Sequence, residues 1–472
     1  MQKMLFCRGA LLSLLLVSAL SGCQENSTDP AAPFWTIEGT VEIVGGGQIL
    51  NVLVQVYEAP SDDQWLQIQT SFPELGFSPI APELFDPLSQ PPLISAAPDP
   101  DGHFALTGLS SGEYIAEARL QGFACPEPLY LTLSESTNIG TLRLVQPQPL
   151  ADIQQDTIWA TGSTLLLGND IFVYPQAVLT IQAGVLIWAE GDASLTVAGG
   201  IQIFGNPEHP VRFCLTEEAY GSGSAWDGML LEQPTFACEL SGVSFQGAST
   251  ALRVANGQAQ ISECLFWAPS SFAAYFSADA QGSVAHSVVL EGNQGLVADN
   301  CSPDFEYNLV LRTAGAGISI KSYSGAFAHD NVLWDCQTGI WSDWETAPQI
   351  HHNLISGGQR GLDAQNGFTA LVQYNEFQSQ ALECIYLHMK NCYPQIEWNN
   401  FVDAPAVILH VNGNAGLQAD TVFAPHNYWD GEEVSAIPDR IIDGHDIGSP
   451  DNPIGPVDFN PPNLIAVPEA GP

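Results

Sequence analysis

Apolar and polar positions in the second half of the chain return in a fixed order about every 22 residues. Short apolar runs mark the repeat at Val243-Ser-Phe, Cys264-Leu-Phe, Ser287-Val-Val, Asn308-Leu-Val, Asn331-Val-Leu, Asn353-Leu-Ile, Asn375-Glu-Phe, Asn399-Asn-Phe and Asn427-Tyr-Trp. The last six place Asn in the same slot. A second column runs in phase with the first: Gly295, Gly317, Gly339 and Gly361, each followed by Leu or Ile. A period in the twenties predicts a solenoid whose units bury their apolar faces only by stacking on one another. The units are β runs broken by Gly, Asn and Ser, without the Leu-rich consensus of a leucine-rich repeat, so the prediction is an all-β parallel β-helix. About twelve coils are expected, in a stack about 60 Å long.

Asn suits a repeated corner because it tolerates the left-handed backbone and its amide can bond to the Asn above and below. Asn308, Asn331, Asn353, Asn375, Asn399 and Asn427 are therefore read as an architectural ladder. The preceding column, His286, Tyr307, Asp330, His352, Tyr374, Trp398 and His426, is expected to stack at the corner, with its direction left open.

These features, with the closing His426-Asn-Tyr-Trp-Asp430, resemble the right-handed parallel β-helix superfamily that includes pectate lyases and polygalacturonases. Thr157-Ile-Trp159, Asp170-Ile-Phe-Val173, Leu179-Thr-Ile181 and Gly184-Val-Leu-Ile187 resemble the first coils of bacterial surface β-helix proteins. The resemblance covers about 150–460 and implies the fold. Asn-Thr-Asp, Asp-Asp and Gly-His-Gly, which the polygalacturonases carry, are absent from the repeats.

Upstream, Ile37-Glu-Gly-Thr-Val41 and Val52-Leu-Val-Gln-Val-Tyr57 alternate as half-buried strands, and Asp99-Pro-Asp-Gly102 is a turn before Phe104-Ala-Leu106. About seven strands are expected over 34–146. Their order, with Asp-Gly-x-Phe and the Gly-x-Tyr at 112–114, resembles the carboxypeptidase regulatory-like, transthyretin-like β-sandwich. Residues 60–98 read as a Pro-rich insertion forming an extended surface loop, and 146–150 as the domain boundary. The β-helix is then expected over 150–430, with a capping tail over 431–472.

Met1 to Cys23 carries Lys3 and Arg8, an apolar Leu11 to Leu20, and then Leu20-Ser-Gly-Cys23. This is the layout of a secretory signal, and its end resembles the bacterial lipobox. The resemblance implies cleavage after residue 22, lipidation of Cys23, a polar tether over 23–33 and an exported lipoprotein at the outer membrane or cell surface. The formal charge of −41, with 11 basic residues against 52 acidic ones, excludes nucleic acid as a partner because phosphate binding needs a basic face.

Eight cysteines follow Cys23: 125, 214, 238, 264, 301, 336, 384 and 392. Export permits disulfides, Cys384 with Cys392 being near enough in sequence to close a loop, while buried free thiols are the alternative. No C-x-x-C pair occurs, so no zinc site is expected. The acidic tail, with Asp443, His445, Asp446, Asp451 and Asp458, reads as solvated. Calcium is the one cofactor left open. His351-His352 is not read as a metal pair, since strand neighbours face opposite ways.

Alternation after the Gly column sends Val297, Ser319, Trp341 and Asp363 outward, and likewise Asp299, Lys321, Asp343 and Gln365. Lys321 then lies between Asp299 and Asp343, one coil from each, as a cross-strand charge pairing. As a sugar site, this face would stack Trp341 and Trp344 on pyranose rings and set Lys321 on a uronate carboxylate. Asp343 and Asp363, about 8 Å apart by strand geometry, have the separation of an inverting glycosidase. The leading expectation is a non-catalytic surface protein binding glycan or another extracellular partner through Lys321, Trp341, Trp344, Asp299 and Asp343. One alternative is a polysaccharide lyase or glycoside hydrolase using Asp343, Asp363 and Asp299. Another is a purely structural envelope or adhesion spacer.

Overall fold

The computed structural model describes residues 34–60, 63–73, 75–76, 84–388, 390–412, 421–447 and 454–472. The signal segment, Cys23, the tether, part of the 60–98 insertion and Asp451 lie outside the described residues. No helix among the described residues is long and apolar enough to cross a membrane.

Residues 35–144 form two small sheets. Trp35–Ile43 lies between His103–Leu109, antiparallel, and Thr137–Leu144, parallel. Leu53–Glu58 and Gly112–Arg119 pair at the centre of a four-stranded sheet. Alternation turns Ile37, Val54, Leu106, Ala116 and Leu142 into one shared core.

From Gln148 onward the chain coils. Each coil lays one strand into each of three parallel sheets, of 13, 12 and 13 strands. The boundary segment itself pairs onto the first coil, Gln148–Pro149 against Thr164–Leu167. The first sheet holds Leu265–Trp267 and its register partners, the second Phe272–Ser277, and the third Gln281–Ala285. Rings of one column stack in the interior, as Phe213, Phe245 and Phe266 do with centroids 5.5 and 5.3 Å apart.

The Asn column forms a continuous buried ladder. Asn308 donates its amide to Asn331 Oδ1 at 3.0 Å, Asn331 to Asn353 at 3.0 Å, Asn353 to Asn375 at 2.9 Å, Asn375 to Asn399 at 3.0 Å and Asn399 to Asn427 at 3.0 Å. Each Oδ1 also takes the backbone N–H of the Asn below. The left-handed residue is not the Asn, as its tolerance of that backbone suggests, but the one before it. Tyr307, Asp330, His352, Tyr374, Trp398 and His426 all have φ between 53° and 61°. That single reversal turns the Asn inward, where its amide is satisfied by the neighbouring coils and by the carbonyl two residues before it.

The 60–98 insertion is not an extended loop. It contains helix α1, Asp63–Ser71, and Ile68 and Leu75 pack on Val288, Leu309, Leu311 and Val332 of the first sheet's outer face. Over these coils the first sheet is thus buried on both sides, which is why their strands read Val-Val-Leu, Leu-Val-Leu and Val-Leu-Trp without alternation. The two domains also meet through an Arg119–Glu217 ion pair and a bond from Arg212 to the carbonyl of Pro126.

At the far end, Ile441–Ile442 and Val457–Asp458 add the last strands to the second and third sheets, covering the open coil. Asp443 is not solvated. It is buried, and its carboxylate accepts from the N–H groups of His445 at 2.8 Å and Val457 at 2.7 Å, which holds the cap's turn. Among the described residues none of the eight cysteines forms a disulfide, Cys384 and Cys392 included, and six of them are buried.

Candidate functional site

The second sheet's outer face carries the predicted columns in register. Tyr275, Val297, Ser319, Trp341, Asp363, Tyr386 and His410 form one, and Asp299, Lys321 and Asp343 another. The face is densely covered: Val297 and Ser319 lie outside the coil interior yet are buried by their neighbours' side chains.

Lys321 does not pair with its flanking carboxylates as expected. Among the described residues neither Asp299 nor Asp343 lies within ion-pair distance of it. Its ammonium instead sits over two rings, 5.4 Å from the centroid of Phe272 and 5.5 Å from that of Trp341. Burial lowers its pKa, against the opposing pull of Asp299 and Asp343. Each carboxylate has a neutral donor of its own. Tyr275 donates its hydroxyl to Asp299 at 2.6 Å, and Asn366 donates to Asp343 at 2.8 Å, joined there by the Trp344 N–H. Trp344 is a left-handed corner residue rather than part of the strand face, and it is 60% exposed.

Asp363 belongs to a second, separate network. Arg360 donates to Asp363 at 3.1 Å and to Glu383 at 2.8 Å, and its guanidinium lies 4.4 Å from the Tyr386 ring centroid. His388 contacts Asp363 at 2.9 Å and His410 contacts Glu383 at 3.2 Å. Burial acts to lower the pKa of Arg360, and the hydrogen bond and charge of Glu383 reverse this to a net rise. Asp343 and Asp363 therefore answer to different partners, the first to an amide and the second to a guanidinium and an imidazole.

Arg360 was missed because alternation was read only after each Gly, and Glu383, Tyr386, His388 and His410 because the Gly column stops at Gly361. Cys384 takes the slot in the next coil, and the register continues past it.

On the corner between the third and first sheets, the left-handed backbone turns the preceding column outward. His286 stacks on Tyr307 at 5.1 Å, His352 on Tyr374 at 5.1 Å, Tyr374 on Trp398 at 6.3 Å and Trp398 on His426 at 4.5 Å. Because His352 is the corner residue, it does not face away from His351: their Nδ1 atoms are 3.1 Å apart. One strand below His351, His329 has Asp304 3.0 Å from Nε2 and Asp330 2.7 Å from Nδ1. The hydrogen bond to Asp304 is the main reason its pKa is raised to about 9, against the opposing effect of burial. His351, stacked on it at 4.9 Å, is lowered by burial and by the positive charge of His329.

No curated protein and no solved structure matches the chain. The family model described as right handed beta helix region matches residues 227–401. That match and the three stacked parallel sheets make the solenoid a right-handed parallel β-helix, and the matched stretch holds the Lys321 cluster, Arg360, Asp363 and the ladder from Asn308 to Asn399.

Proposed function

We propose that this is an exported protein, lipid-anchored through Cys23, that binds a neutral, hydroxyl-rich glycan on the second sheet of its β-helix without turning it over. The observation that carries this reading is Lys321 held over Phe272 and Trp341 rather than in an ion pair. An ammonium so placed can still donate to a hydroxyl. Trp341 and the exposed Trp344 offer apolar faces to sugar rings, while Asp299, Asp343 and Asn366 offer the acceptors and donor that ring hydroxyls require. Two carboxylates around one ammonium leave the cluster net negative, which favours a neutral sugar over a uronate.

The non-catalytic part of the reading is supported by the partners of the three candidate carboxylates. Asp299 and Asp343 each accept from a neutral donor and Asp363 is paired with Arg360 and His388, so each carboxylate is already held by side chains of its own. An inverting pair works across a single sugar, whereas Asp343 and Asp363 are held in separate networks.

A glycan array followed by calorimetry tests the reading. Trp341→Ala and Lys321→Ala are each expected to weaken binding at least tenfold while the fold is retained. New reducing ends or unsaturated uronates in an overnight incubation, abolished in Asp343→Asn, would replace it with the hydrolase or lyase reading. Absence of any binding would leave the spacer reading. Palmitate labelling that is lost in Cys23→Ala tests the anchor.

A further inference from the structure

A second cluster lies on the third sheet, away from the Lys321 and Arg360 networks. Asp304 and Glu306 are alternate residues of one strand and so face the same way. Glu306 pairs in register with His329 on the next coil. His329 Nε2 is 3.0 Å from Asp304 Oδ1 and 3.9 Å from Glu306 Oε2, and one ligating atom from each of the three lies within 4.8 Å of the others. Two further observations distinguish this from a simple ion pair. Asp304 Oδ1 is shielded from solvent and, beyond its contact with His329, has no hydrogen-bond partner among the described residues. Glu306 brings a carboxylate that an imidazole already paired at both nitrogens does not need.

The other ring nitrogen completes the pattern. His329 Nδ1 is 2.7 Å from Asp330 Oδ2, so a proton held there is fixed by Asp330, while the Nε2–H that bonds to Asp304 in the metal-free protein is the one a cation would displace, freeing Nε2 to ligate beside the two carboxylates. This carboxylate–imidazole relay is how metal-ligating histidines are oriented and made more basic. One imidazole nitrogen with two carboxylate oxygens suits a zinc-class dication. Calcium would take six to eight oxygens. The cluster borders a polar groove with Gln260, Ser283 and Ser302, through which water could reach the remaining coordination position.

We propose that Asp304, Glu306 and His329 bind one zinc-class divalent cation on the outer face of the third sheet, with Asp330 as the positioning residue behind His329. The ring of His351 stacks on His329 rather than converging with it and takes no part.

The test is calorimetric titration of the purified, chelator-stripped chain with ZnCl2 and, separately, CaCl2, with CoCl2 followed by its visible d–d absorption. One Zn2+ per chain is expected, with Co2+ bands of a low-coordinate site. Affinity should fall at least tenfold in His329→Ala and in Glu306→Gln. Asp330→Asn should cost about 10-fold to 100-fold in affinity with the stoichiometry unchanged. Glu306→Gln keeps the size and shape of the side chain, and equal thermal transitions of the metal-free proteins separate lost ligation from lost folding. No saturable Zn2+ uptake, uptake unchanged in both His329→Ala and Glu306→Gln, or Ca2+ bound in preference to Zn2+ would each overturn the proposal.

Discussion

Gly76, next to Leu75 at the end of the segment that follows α1, donates its N–H to the carbonyl of Tyr307 at 2.8 Å and so ties the amino-terminal domain to the side of the β-helix. A Cβ at Gly76 would lie 2.8 Å from Leu309. The docking covers an apolar sheet face that would otherwise be exposed. Ile68→Asp puts a charge into that contact and is expected to cost about 2 kcal/mol or more. Dye binding to exposed apolar surface should rise and the thermal transition should fall.

The ladder gives a larger effect. In Asn353→Ala the N–H of Asn331 is stranded, while the Oδ1 of Asn375 and the carbonyl of Ala328 each lose one buried donor, Asn375 keeping the backbone N–H of residue 353. At about 1 to 3 kcal/mol for the stranded group, with the lost side-chain bonds added, a loss of a few kcal/mol is expected, measured by denaturant unfolding. Asn353→Asp keeps the shape and the acceptor but loses the donor and adds a buried charge, and it should be no better than alanine.

Glu117 sets a pH dependence. Its carboxyl is buried between the sheets and the β-helix, and burial pushes its pKa up to about 7 against the opposing charge of Arg119. A carboxyl raised above its unfolded value near 4.5 keeps its proton in the native state while the unfolded chain has lost it. Its contribution is therefore fully present below about 4.5 and declines as the pH rises through about 7. Glu117→Gln should flatten the stability profile over that window in thermal melts, and an unchanged slope would refute the assignment.

Arg360 is expected to be structural. Arg360→Ala leaves Asp363 and Glu383 facing each other's coil without their shared cation, at a cost of about 2 kcal/mol, intermediate between exposed and buried pairs. Arg360→Lys retains the charge but not the two-pronged geometry and should recover only part of this. Glycan affinity at Lys321 should be little changed in either variant.

The thiols should be silent in the native protein. Burial pushes the pKa of Cys264 up to about 12 and that of Cys238 to about 11, so little thiolate is present at neutral pH. Mass spectrometry after alkylation should show no label on Cys238, Cys264, Cys301, Cys336, Cys384 or Cys392 until the chain is denatured, when all six should react.

The β-helix was legible because an inward amide must meet the same partner in every coil, so Asn331, Asn353 and Asn375 cannot drift in sequence. The outward columns were legible for the same reason of register. What alternation alone misses is whatever depends on a third body. Lys321 was placed between two carboxylates correctly, yet its ammonium goes to Phe272, two coils below, which no cross-strand rule weighs. The apolar triplets of the first sheet announced a covered face, and the cover, α1, lay in a segment whose prolines spoke for a loop. Asp304 and Glu306 were passed over because the imidazole that joins them, His329, comes from the next coil and shows no short spacing to them.

The ladder also has a direction. Every Oδ1 from Asn331 to Asn427 points back toward the preceding rung, and each amide from Asn308 to Asn399 donates forward to the next Oδ1 as well as back to a carbonyl of the coil before. Aligned in a water-free interior, these side-chain dipoles reinforce one another as peptide dipoles do along a helix. The column of Oδ1 atoms is therefore polar along the axis, its negative side facing the first coils and its other end lying where Asp430, Glu432 and the buried Asp443 are gathered.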